Sequence, residues 1–94
     1  MNAVIDEAGK NVTEFRAPGP GERLRSARLA RGLELSKLAA QLHLSEDLVQ
    51  ALERDDFDAL PGRVFVRGYV RYYALLVGIP FDSVMKQLDD QLPA

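Results

Sequence analysis

The chain has 94 residues and no cysteine, which allows one domain with one modest core and excludes both a disulfide framework and a thiolate metal site. An apolar fraction of 47% beside 28% charged residues is ordinary for a soluble globule. No signal-peptide core and no apolar run of about 18 residues is present, so nothing in these residues is expected to enter a bilayer, and a formal charge of −2 weighs mildly against a general nucleic-acid binder.

The charge is unevenly spread. Residues 21–33 carry +3, residues 34–62 carry −5 and residues 63–76 carry +3, between mildly acidic ends. Alternating blocks of this kind read first as solvated faces that attract one another inside a domain.

Residues 1–20 read as a disordered tail, because Val4, Ile5, Val12 and Phe15 repeat at no useful period. Ala17-Pro18-Gly19-Pro20-Gly21 is expected to break any helix and to mark the domain boundary, with the folded part over 21–92. From Glu22 a first helix is predicted, with Leu24 and Ala27 facing in and Arg23, Arg25, Arg28 and Arg31 on its surface. Gly32 is its C′ residue and Leu33 packs back as the cap contact.

Leu35 to Arg54 predicts two short helices joined by a tight turn at His43-Leu44. Ser36 caps the first, whose inward side is Leu38, Ala39 and Leu42. Ser45 caps the second, with Glu46 and Asp47 in its first turn and Leu48, Val49 and Leu52 inward. Ala39 supplies the small residue a steep crossing needs. This is a helix-turn-helix, with His43 at the turn position that often carries glycine. The lone His43 is a turn residue on this reading. It lacks the further donors of a metal site and the nucleophile and orienting acid of a catalytic one.

A helix-turn-helix raises DNA binding. Groove readers carry Arg, Lys, Asn or Gln early in the second helix and cations beside it. Here that helix and its end carry Glu46, Asp47, Glu53, Asp55 and Asp56 against Arg54, and only Gln50 has base-reading chemistry. Sequence-specific DNA binding through Gln50 and Arg54 is therefore the alternative reading. Asp55 to Gly62 forms a loop with Phe57 and Leu60 tucked under it. Its carboxylates lack the spacing of a calcium loop and read as solvated.

A long helix is predicted from Arg63, launched by Pro61-Gly62 and closed by Gly78 and Pro80. At about 100° per residue, Phe65, Tyr69, Tyr72 and Leu76 form one apolar stripe and Val66, Val70, Tyr73 and Val77 a second. Either this is the central core helix, or one stripe packs inward and the other meets a partner. Gly68 lies inside it, where a neighbouring backbone is expected to pass close. A last helix starts at Phe81, capped by Asp82 or Ser83, with Val84, Met85, Leu88 and Leu92 inward. The ending at Ala94 reads as that of a fragment. No phosphate loop, metal set or triad supports an enzyme, and no cofactor is implied. A generic peptide-binding groove is a weaker option.

Together these residues carry a resemblance: Gly32-Leu33 after the first helix, the helix-turn-helix, acidic Glu53 to Phe57, then Phe65-Val66-Arg67-Gly68-Tyr69-Val70-Arg71-Tyr72-Tyr73-Ala74 and Gly78-Ile79-Pro80. Over about Gly21 to Leu88 the chain resembles the cytoplasmic domain of the RodZ family of bacterial cell-shape proteins. The resemblance implies an all-α, five-helix, Cro/repressor-like fold used for protein binding. It implies a domain of a single-pass protein at the cytoplasmic face of the inner membrane, whose partner is the actin-like filament protein MreB. The implied contact runs through Phe65 and Tyr69, with Leu60, Arg63 and Arg67 nearby. Tyr72, Tyr73, Val66, Val70 and Val77 stay core candidates.

Overall fold

Proline at the first position of a helix costs nothing, because the N–H it lacks would have no intrahelical partner there. Pro20 uses this allowance and opens α1 (Pro20–Ala30) instead of ending the chain's approach to it. Pro20 and Gly21 are both buried, so the folded part begins before Gly21. The structure, a computed structural model, describes residues 17–92. The expected tail lies, apart from its last four residues, outside those described.

Four further helices follow: α2 (Leu35–Leu42), α3 (Glu46–Glu53), α4 (Arg63–Val77) and α5 (Phe81–Gln91), with a 3-10 turn at Phe57–Ala59 before α4. The all-α, five-helix expectation holds. Helix ends are set by left-handed residues that let two amides turn back onto the last carbonyls. Gly32 does this after α1 at φ 65°, with Leu33 N–H bonded to the Arg28 carbonyl at 3.1 Å. His43 does it after α2 at φ 59°, with Leu44 N–H on the Ala39 carbonyl at 3.0 Å, as the turn reading required. Asp55 does it after α3 at φ 62°, which the sequence did not announce. Gly78 ends α4 at φ 77°.

Two caps differ from expectation. Ser36 lies inside α2, whose N-cap is Glu34 without a side-chain bond. Pro80, not Asp82 or Ser83, precedes α5. Ser45 does cap α3, its Oγ accepting from Leu48 N–H at 3.2 Å.

The core gathers Leu24 of α1, Leu38, Ala39 and Leu42 of α2, Val49 and Leu52 of α3, Phe57 and Leu60 of the connecting segment, and Val84 and Leu88 of α5 around α4. Helix α4 gives it Val66, Val70, Tyr73, Ala74 and Val77 and packs on α1, α2, α5 and the 3-10 turn. The second of its two stripes is thus the inward one. Fixing α5 are Arg23 of α1, which donates to Gln87 Oε1 at 2.7 Å and Ser83 Oγ at 2.9 Å, and Gln87, which donates to the Pro18 carbonyl at 2.9 Å.

Candidate docking surface on the fourth helix

A polar clamp sets the rotation of α4. Glu53 at the end of α3 is 5% exposed and Arg28 of α1 is 8% exposed. The Arg28 guanidinium donates to both Glu53 carboxylate oxygens, at 2.8 and 3.3 Å, and to the Leu33 carbonyl at 3.1 Å. The Tyr73 hydroxyl of α4 donates to Glu53 Oε2. Burial and the Glu53 charge push the Tyr73 phenol well above its ordinary value, so it stays a donor. The bond to Glu53 raises the Arg28 guanidinium above its own ordinary value. Both surface assignments made from sequence are corrected here: Arg28 and Glu53 are interior, because each compensates the other's charge.

With Tyr73 held inward, the opposite side of α4 must face out. Val64 is 79% exposed, Leu75 67%, Phe65 61% and Tyr72 43%. Tyr72, expected in the core, is therefore on the surface. Tyr69 is half-buried and packs against the core edge. Exposed apolar side chains this close together exceed the scattered singles of an ordinary surface.

The five residues implied by the resemblance do not form one patch. Phe65 and Tyr69 lie together, one turn apart. Arg67 sits about 160° round the helix from Phe65 and pairs with Asp89 of α5. Leu60 is 6% exposed; it is a core residue under the start of α4, tucked in as its loop position suggested, and so offers little surface to a contact. Arg63 opens α4, and its side chain lies outside the described residues. Sequence reasoning passed over Val64, Arg71 and Leu75; a helical wheel anchored on Tyr73 would have found them.

The DNA alternative can be placed too. Gln50 and Arg54 line an open cleft of about 340 Å³ with Arg25, Arg28 and Glu53. Arg54 lies 3.9 Å from Asp56 and Arg25 3.9 Å from Glu53. Of the five carboxylates counted against DNA, Glu53 is buried and Asp55 is turned to α1, where it accepts from the Gly21 N–H at 2.7 Å. Asp55 thereby serves the N-terminus of α1, where no side chain of that helix's own N-cap can. A Cβ on Gly21 would strike the Leu52 carbonyl and the Asp55 carboxylate, so this approach requires glycine. Glu46 and Asp47 remain exposed at the start of α3 and Asp56 beside Arg54 at its end, and the outward surface of α3 is still acidic.

Among the described residues no group of three His, Cys, Asp or Glu is placed to hold a metal ion, and no helix is long and apolar enough to cross a membrane. A second open cleft of about 400 Å³ lies between Glu22, Asp55 and Gln91. Burial, with the Glu22 charge, raises the Asp55 carboxyl there against the lowering effect of the Gly21 bond.

A family model described as a helix-turn-helix domain matches residues 23–84. The chain is 36% identical over 81 residues to the cytoskeleton protein RodZ of Streptococcus pneumoniae; the match takes in 86% of this chain and 26% of that protein. It is similar in structure to YmfM of Staphylococcus aureus, named as a candidate DNA-binding membrane protein, with a TM-score of 0.73 and 26% identity over 81% of this chain and 93% of that one. The chain belongs to the RodZ-like helix-turn-helix domain family.

Proposed function

We propose that this domain is the adaptor module of a bacterial cell-shape protein, and that the outer side of α4, through Phe65 and Tyr69, docks the actin-like filament protein MreB and links it to the inner membrane. The observation that carries the reading is the 61% exposure of Phe65 on a helix without a carboxylate. An aromatic side chain that the fold leaves in water is a typical interface anchor. Relatedness to a named cytoskeleton protein supports a filament as the partner. The chain spans about a quarter of that relative, so the membrane link belongs to the longer protein.

Sequence-specific DNA binding is the competing reading. It rests on the cleft that unites Gln50, Arg54 and Arg25 and on the description given to YmfM. The exposed Glu46 and Asp47 oppose it, since carboxylates facing phosphate are repelled and release no counterions. Co-sedimentation with MreB filaments separates the two. The expected result is saturable pelleting of the wild-type domain that Phe65→Ala abolishes and Gln50→Ala leaves intact. A salt-dependent gel shift weakened by Gln50→Ala and Arg54→Ala, without pelleting, would overturn the adaptor reading.

A further inference from the structure

Glycine in the middle of a helix lowers its stability unless something needs the missing side chain. Gly68 is such a residue. It lies within α4 with no positive φ, is exposed, and a Cβ built on it would meet nothing within 4 Å. The close neighbouring backbone expected from the sequence is absent from its surroundings in the described chain. The fold gains nothing from this glycine.

What surrounds it is specific. The helical neighbours of Gly68 at i−4, i−3, i+3 and i+4 are Val64, Phe65, Arg71 and Tyr72, and all four are exposed. Four exposed residues about a position without a side chain leave a notch in the helix surface. Without a side chain at the centre, a facing helix can come close and seat a residue on the backbone. Charge identifies the visitor. Arg71 lies over the Phe81 ring at 5.1 Å and has no ion pair among the described residues, whereas Arg67 is already held by Asp89. With no carboxylate anywhere on α4, a second copy of this helix would set cation against cation.

We infer that the notch at Gly68 receives a helix of the filament partner, a helix that seats an apolar side chain between Val64, Phe65 and Tyr72 and presents a carboxylate to Arg71. This rests on the docking reading of α4 and adds to it the shape and charge of what docks.

The test uses Gly68→Ala, Gly68→Leu and Arg71→Glu, with Phe65→Ala as the reference variant, in co-sedimentation with MreB filaments beside thermal unfolding. Gly68→Ala should raise Tm by about 4–8 °C, because it improves the helix, and yet weaken binding about tenfold by filling the notch. Gly68→Leu should weaken it further, and Arg71→Glu at least as much as Gly68→Ala. A variant that is more stable and binds worse cannot owe its defect to unfolding. Wild-type binding by both Gly68 variants, with Phe65→Ala defective, overturns the notch and leaves the docking surface standing. Binding that none of the four variants changes overturns the docking surface itself. Self-association of the free domain that Gly68→Leu abolishes overturns the acidic-helix occupant in favour of a second copy.

Discussion

Helices α3 and α4 invert the usual division between polar surface and apolar interior. The last residue of α3 is a carboxylate, and it is buried. Helix α4 carries aromatics and branched aliphatics along its length, and four of them, Val64, Phe65, Tyr72 and Leu75, face solvent. The difference has one cause. Glu53 has Arg28 and Tyr73 to satisfy it, so its burial leaves no charge unpaired. Once Tyr73 is committed to Glu53, the rotation of α4 is fixed: Tyr69 and Leu76 of its other apolar stripe pack at the core edge, while Phe65 and Tyr72 are left exposed. The clamp that holds three helices together therefore also decides which face of α4 remains exposed.

The largest way to break this contrast is at the clamp. Glu53→Ala leaves Arg28 buried without its counter-charge and should cost about 3–5 kcal/mol in equilibrium unfolding. A loss below about 1 kcal/mol would show that the pair is not what fixes the helices. Tyr73→Phe removes one donor from the buried carboxylate and should cost about 1–3 kcal/mol near neutrality.

That second cost is pH-dependent with a definite sign. The folded-state Tyr73 phenol titrates above its unfolded value of 10.0, so its contribution is whole below pH 10 and declines as pH rises beyond it. The stability gap between wild type and Tyr73→Phe should narrow in urea titrations above that pH. A gap that widens there would reverse the assignment of Tyr73 as donor.

On the outer face the expected stability effects are smaller. Tyr69→Ala removes a half-buried ring and should cost about 1–2 kcal/mol, so its binding loss must be read beside its unfolding curve. Phe65→Ala should change stability by no more than about 0.5 kcal/mol while abolishing binding to the filament, which makes it the cleaner probe. A severe unfolding defect in Phe65→Ala would return this residue to the core and end the contrast.

The helical periodicity was enough to place most of the core: Leu24, Leu38, Leu42, Val49, Leu52, Val66, Val70, Val84 and Leu88 all lie where the spacing puts them. His43 and Gly32 were legible as turn residues because positive φ has few tolerated occupants. Charge partners were not legible. Arg28 stands four residues after Leu24 and Glu53 four after Val49, spacings that point inward, but a charged side chain there does not name its partner; the two lie 25 positions apart in the chain. Asp55 was hidden for the same reason, since its hydrogen-bond partner Gly21 is 34 residues away. Leu60 was read two ways, as tucked under its loop and as a neighbour of the implied contact; it is buried where the 3-10 turn folds under α4, as the first reading had it. Tyr72 was misplaced because the two stripes of α4 overlap at their edges, and only the Tyr73 clamp says where the boundary falls.

The most direct measurement is a residue-resolved amide chemical-shift map of the isotopically labelled domain during titration with MreB. The expected outcome is perturbation concentrated at Val64, Phe65, Gly68, Tyr69 and Tyr72, with Glu46, Asp47, Gln50 and Arg54 unmoved. Perturbation confined to α3, with the outer amides of α4 silent, would contradict the account.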